Sequence, residues 1–233
     1  MSKLRISMKL AAVTFDVGGT LIQPWPSVGH IYAEVAARHG VKNIPGELLD
    51  ARFKAAWHAQ KDFTYTREAW AELVDRIFLG LCANSPSKTF FPNLYEHFAQ
   101  PEAWRIFDDV VPTLEELATK GVRLGVISNW DERLGGLLRR LKLDGFFETI
   151  AVSCEVGFAK PSRVIFEQAA EKLGLPPASI LHVGDSFEMD VQGAKSAGFA
   201  ALRLIRAGIR PGADAIHSLA GLPARIAKPI SAR

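Results

Sequence analysis

The feature that most constrains this chain is a recurring pair: a short apolar run followed at once by a polar residue in a turn. Leu10 to Phe15 runs into Asp16, Val122 to Ile127 into Ser128-Asn129, and Ile180 to Val183 into Gly184-Asp185. Short, near-continuous apolar runs of this kind read as strands buried on both faces. Phe147 to Ser153 and Ala200 to Ile205 are two more. Helical patterns fill the gaps between them: Thr113 to Lys120 closed by Gly121, Leu134 to Leu141, Ser162 to Leu173 stopped by Gly174, and Val191 to Ala197 stopped by Gly198. Ala215 to Leu219 is expected to begin a closing helix. Strands alternating with helices predict an α/β fold, a Rossmann-like doubly wound parallel sheet. Ligands of such sheets bind beyond the carboxyl ends of the strands. Asp16, Ser128, Asn129 and Asp185 all stand there.

The texture changes between Val28 and Phe107. Ile31, Val35 and Ala36 form one set at helical spacing, and Trp70, Leu73, Val74 and Ile77 another. Pro45, Pro86, Pro92 and Pro101 punctuate the block, and no strand pattern is visible in it. Gln23 to Pro26, with two prolines, reads as a loop. The expected organisation is a core of residues 1–27 and 108–233 with a helical subdomain, 28–107, inserted after the first strand.

Composition narrows the function classes. A formal charge of +3 on 233 residues, with both signs interspersed, gives no reason to expect nucleic acid or a membrane surface as partner. No apolar run is long enough to span a bilayer. The stretch Met1 to Leu10 reads as a short tail leading into the first strand and not as a signal peptide. Cys82 and Cys154 form no pairing motif, so a reducing, cytoplasmic setting is expected.

The strand ends carry complementary chemistry. Asp16 is a lone carboxylate on a glycine-rich turn, Asp16-Val17-Gly18-Gly19-Thr20. Ser128-Asn129 supplies a hydroxyl and a backbone N–H. Lys160, in Gly157-Phe158-Ala159-Lys160-Pro161, supplies a cation, and Gly184-Asp185-Ser186 with Asp190 supplies more carboxylates. Paired carboxylates near a strand mouth suit Mg²⁺, which prefers hard oxygen ligands.

This ordered set resembles the haloacid dehalogenase superfamily of hydrolases. "ISNWDERL" and "VSCEVGFAKPSRVIF", between Ile127 and Phe166, look closest to its branch related to the rhythmically expressed fly protein. The resemblance implies a role for each residue. Asp16 would be the nucleophile of an aspartyl-phosphate mechanism, and Lys160 would neutralise it and the transferring group. Thr20 in the phosphate-binding loop would orient Asp16, while Ser128 and the Asn129 N–H would hold phosphoryl oxygens. Asp16, the backbone carbonyl of Gly18 and Asp185 would bind Mg²⁺, with Asp190 and Ser186 in support. The helical block would be a C1-type cap. The implied partner is a small phosphorylated metabolite, and the implied protein a monomer or homodimer.

Gly18 departs from the pattern. Phosphatases of this superfamily place a second aspartate there, as the acid that protonates the leaving group. General acid–base catalysis is typically worth about 10²–10⁴-fold. The expected function is a Mg²⁺-dependent phosphatase lacking that acid. The alternatives are a catalytically impaired binding or regulatory protein, or a dehalogenase- or phosphonatase-like hydrolase of C–X or C–P bonds. "FDVGGT" also looks like the phosphate loop of ROK-type sugar kinases. Those continue into a hairpin strand, where this chain has Pro24 and Pro26.

Overall fold

The computed structural model describes residues 10–60, 63–206 and 215–226. The expected tail, Met1 to Leu10, lies outside them except for Leu10. Eight strands occur among the described residues: β1 Ala12–Phe15, β2 Ile22–Pro24, β3 Trp104–Ile106, β4 Arg123–Ser128, β5 Thr149–Val152, β6 Ile180–Gly184, β7 Ala200–Leu204 and β8 Ala215–Ile216. Six form one parallel sheet in the order β5-β4-β1-β6-β7-β8. This is the expected doubly wound α/β architecture, with β1 central and the order reversing on either side of it.

Register brings the polar residues to one edge. Phe15 lies opposite Val126 of β4 and Val183 of β6, so Asp16, Ser128 and Asp185 all emerge at the carboxyl ends of neighbouring strands. β1 is buried along its whole length, which is why its sequence shows no alternation. Ile127 and Ala151 share a core with Ile165, Phe166 and Ala169 of the helix Arg163–Leu173. The helix Val110–Thr119 buries Val110, Leu114 and Leu117. Burying a side chain of this size contributes roughly 1.5–3 kcal/mol.

The chain divides into two compact units. One comprises Met1–Leu21, Phe107–Asn129 and Lys142–Arg233; the other comprises Ile22–Ile106 and Trp130–Leu141. The second is built on the helices Val28–Arg38, Gly46–His58, Arg67–Ile77, Phe91–His97 and Leu134–Arg140. Ser27 and Thr66 cap the first and third of these through their side-chain oxygens. Its core gathers Ile31, Tyr32, Leu49, Leu73, Ile77 and Phe90, with Trp57, Trp70 and Trp104 packed against it.

Four local expectations need correcting. Gln23 to Pro26 was expected as a loop and 28–107 as strand-free, yet β2 pairs antiparallel with β3, Pro24 opposite Trp104. Both strands of a two-stranded ribbon are edges, and an edge position tolerates a proline that cannot donate. Three-residue strands whose partners are far apart in sequence also leave no periodic signal. The closing helix expected from Ala215 to Leu219 starts only at Leu219, as a 3₁₀ turn over Leu219–Gly221 followed by the helix Leu222–Ile226. Ala215 and Ile216 pair with Arg203 and Leu204, and tertiary pairing overrides alanine's helix preference. The expected helix from Val191 to Ala197 starts earlier, as a π turn over Phe187–Gln192, followed by Gly193–Ser196. Such turns recur at functional sites.

Candidate active site

The site lies at the carboxyl edge of the parallel sheet, and all its residues belong to the unit that contains the sheet. Asp16 leaves β1 with its amide bonded to Val183 O at 2.9 Å. The chain then turns through Gly19, whose φ of 78° lies in the left-handed region. A Cβ on Gly19 would come within 2.7 Å of Asp185 Oδ2. Glycine is thus required there twice, by backbone angle and by the close approach of a carboxylate.

Lys160 sits at the centre. Its Nζ donates to Asp16 Oδ1 at 2.7 Å and to Asp190 Oδ1 at 2.6 Å. Ser128 Oγ donates to the same Asp16 oxygen at 3.1 Å. Asp16, Ser128, Lys160 and Asp190 are all buried. The Asn129 side chain grips the Lys160 backbone from both sides, accepting from Lys160 N at 2.6 Å and donating to Lys160 O at 3.0 Å. The lysine is thereby fixed at both ends.

The matching family model spans residues 10–198 and is described as haloacid dehalogenase-like hydrolase. The chain belongs to the haloacid dehalogenase-like hydrolase family. It is 32% identical to haloacid dehalogenase-like hydrolase domain-containing protein 3 of Danio rerio, over 92% of this chain and 95% of that one. Among solved structures it resembles a HAD phosphatase from Thermococcus onnurineus (TM-score 0.68, 26% identity, 92% of this chain and 97% of that one). A 2-haloacid dehalogenase from Pseudomonas syringae pv. Tomato DC3000 is equally similar (TM-score 0.67, 26% identity, 94% and 98%).

In this hydrolase the charges hold one another. Burial works against the Lys160 ammonium, but Asp16 and Asp190 outweigh it and push its pKa well above the usual lysine range. Burial likewise works against the Asp190 carboxylate. The Lys160 charge and the His182 hydrogen bond overcome it and hold Asp190 well below the usual range. Asp190 is fully engaged, because Oδ2 also accepts from Ser186 N at 2.9 Å. Ser186 Oγ in turn caps the following turn by accepting from Met189 N at 3.2 Å.

Asp185 differs. Desolvation, and then the charges of Asp16 and Asp190, push it up to about 7. Solvent reaches this residue, so like-charge crowding is the part of that rise a counter-cation would relieve. One carboxylate oxygen each from Asp16, Asp185 and Asp190 lie within 4.8 Å of one another. This hard-oxygen cluster fits Mg²⁺. Asp190 is committed to other donors, which leaves Asp16 and Asp185 as the carboxylates able to turn toward an ion.

Thr20 is buried, and its hydroxyl has no hydrogen-bond partner among the described residues. Its carbonyl accepts from Arg206 Nη2. Arg206 and Asp109 form an anchor that residue patterns did not single out. Asp109 accepts from Arg206 Nη1 at 3.2 Å and Nη2 at 3.1 Å, from Ser218 Oγ at 2.6 Å and from Leu219 N at 2.8 Å. Desolvation would raise the Asp109 pKa, but these hydrogen bonds prevail and lower it. A carboxyl depressed on folding stabilises the fold above its unfolded pKa, and that stability is lost as pH falls through the folded value. Asp109→Asn is therefore expected to cost about 1–3 kcal/mol at pH 7. Thermal melts should show the gap to the unmodified protein closing below about pH 4. A gap that persists unchanged into acid would mean that the charge is not what matters.

His182 and Thr14 were also missed. His182 hides inside the apolar run of β6, where the strand reading passed over it. The available signal was a histidine between Leu181 and Val183 in a strand buried on both faces, since a buried polar group must find a partner.

Proposed function

We propose that the protein is a Mg²⁺-dependent phosphatase of small phosphorylated metabolites, with Asp16 as nucleophile. The observation that carries this is the pair of donors, Lys160 Nζ and Ser128 Oγ, converging on Asp16 Oδ1 in a buried site. They orient the carboxylate and leave its Oδ2 to attack phosphorus. As the new O–P bond forms, the bond to the leaving oxygen breaks and its electron pair departs with the leaving group. Water then cleaves the aspartyl-phosphate to give inorganic phosphate and free Asp16. Lys160 stays protonated throughout and offsets negative charge on the reacting groups. When a phosphoryl group binds, the Ser128 hydroxyl would turn its one hydrogen from Asp16 to a phosphoryl oxygen, and the Asn129 N–H is assigned to another.

Asp16, Asp185 and the Gly18 carbonyl would hold the Mg²⁺. When bound, the ion supplies positive charge that balances the extra negative charge of a phosphoryl group beside these carboxylates. The HAD phosphatase from T. onnurineus, similar over most of this chain, supports the phosphatase reading. The helical block 28–107 is read as the family's cap.

Gly18 sets the leaving-group preference. It has no side chain to protonate a departing alkoxide. Aryl and acyl phosphates, whose leaving groups are stable anions, should turn over faster than alkyl phosphates by about 10²–10⁴-fold. Gly18→Asp should narrow that gap, and EDTA should stop both reactions. A panel of phosphate esters assayed for phosphate release tests this; equal rates for aryl and alkyl esters would refute it. Gly18 also favours a second reading, since a halide leaves without a proton. Halide release from 2-haloacids, with no phosphate release from any ester, would select that reading.

A further inference from the structure

The geometry points to His182 as a positioning residue of the Asp16 site. In this inference it is a neutral imidazole with its proton on Nε2. It takes a hydrogen bond from the Thr14 hydroxyl and gives one to Asp190, and so fixes the carboxylate that aims Lys160 at Asp16. Only the kinetic part of this inference rests on the phosphatase reading.

The donor and acceptor inventory leaves little freedom. Thr14 of β1 and His182 of β6 stand directly opposite each other in register, and both are completely buried. His182 Nδ1 lies 2.9 Å from Thr14 Oγ1, and Nε2 lies 3.2 Å from Asp190 Oδ1. Asp190 already accepts Lys160 Nζ on Oδ1 and Ser186 N on Oδ2. A carboxylate so engaged has no hydrogen to give, so Nε2 must be the donor. Nδ1 then either receives the Thr14 hydrogen or, in an imidazolium, gives one. An imidazolium would place a second cation on the oxygen that Lys160 already occupies, in a fully buried position. Burial also draws His182 below the usual histidine range, although Asp190 pulls the other way.

With the proton on Nε2, every group in the chain is satisfied in one direction. Thr14 donates to His182, His182 to Asp190, and Lys160 to both Asp190 and Asp16. The Phe166 ring packs against the imidazole in a T-shaped contact, centroids 5.2 Å apart. Asp190 packs against Gly184, where a Cβ would come within 2.2 Å of its carboxyl carbon. The carboxylate is therefore fenced by Gly184, Ser186, Lys160 and His182. Removing His182 opens one side and frees it to rotate away from the line joining Lys160 to Asp16. A merely space-filling histidine predicts instead that leucine serves as well.

The test uses the full chain with ¹⁵N-labelled histidine and lysine. Long-range N–H correlation spectra should show His182 with one ring proton, on Nε2. A proton on Nδ1, or on both nitrogens, overturns the inference. His182→Gln keeps an N–H donor, whereas His182→Leu keeps bulk alone. On 4-nitrophenyl phosphate with Mg²⁺, His182→Leu should lower kcat per folded molecule by about 10–100-fold, the range seen when partners that orient a reactive group are lost, with KM little changed. His182→Gln should recover most of the loss. Equal kcat for the leucine variant and the unmodified protein overturns the inference. Should the unmodified protein hydrolyse no phosphate ester, the phosphatase reading fails and the Lys160 ammonium resonance decides the positioning role. That resonance should match the unmodified protein in His182→Gln and shift or broaden in His182→Leu; no change in His182→Leu overturns the inference. If His182→Leu does not fold, Thr14→Val, which removes only the hydrogen bond to Nδ1, is read the same way.

Discussion

Asp16→Asn will abolish phosphate release, on the order of 10³–10⁶-fold in kcat, while the protein stays folded. The amide is nearly the size of the carboxylate, and its oxygen still faces Ser128 and Lys160, so packing at the end of β1 is preserved. What disappears is the anionic oxygen proposed to attack phosphorus. Mass spectrometry of the unmodified protein quenched during turnover should find a phosphoryl adduct on the peptide containing Asp16, and none in the variant. Activity that survives the substitution would remove Asp16 from the mechanism, whatever becomes of the other residues.

Lys160→Met should cost both activity and stability. The lysine is a buried cation between the Asp16 and Asp190 carboxylates, donating to one at 2.7 Å and to the other at 2.6 Å. Truncating one partner of a buried ion pair typically costs about 3–5 kcal/mol, because the remaining charge is left uncompensated. In a protein of this size that is a fall in Tm on the order of 10 °C. The pH dependence should also invert. Without the ammonium, the Asp190 carboxylate, now held in its charged form, is left beside the other aspartates, and its folded pKa rises. A group raised on folding destabilises the charged state at high pH, and the penalty is relieved as pH falls. The variant should therefore gain on the unmodified protein as pH drops from 7 toward 5. Parallel melts across that range, showing a constant difference, would mean that Lys160 packs there without acting as a counter-charge.

Much of the fold was legible because its signals are local. The near-continuous apolar runs of β1, β4 and β6 announce strands buried on both faces, and the helical spacing between them announces crossovers. The ribbon of β2 and β3, and the pairing of β8 on β7, were not legible. Two- and three-residue strands carry no period, and their partners are distant in sequence. Asp109 and Arg206 escaped notice for the same reason, since nothing near either residue marks the partner.

The sequence by itself determined the kind of chemistry at the mouth of the sheet. Each strand run ends on a polar residue, and a parallel sheet has no choice but to present those ends together. It also determined what is missing, because Gly18 carries no side-chain acid in any conformation. The tertiary structure decided how the charges are shared. Only register places Thr14 opposite His182, and only the π turn after β6 swings Asp190 back between His182, Lys160 and Ser186. Hydrogen bonds weaken steeply with distance and angle. Which two of three neighbouring aspartates pair with the lysine, and which one stands apart from it, is therefore fixed by ångström-scale packing that residue order does not encode locally.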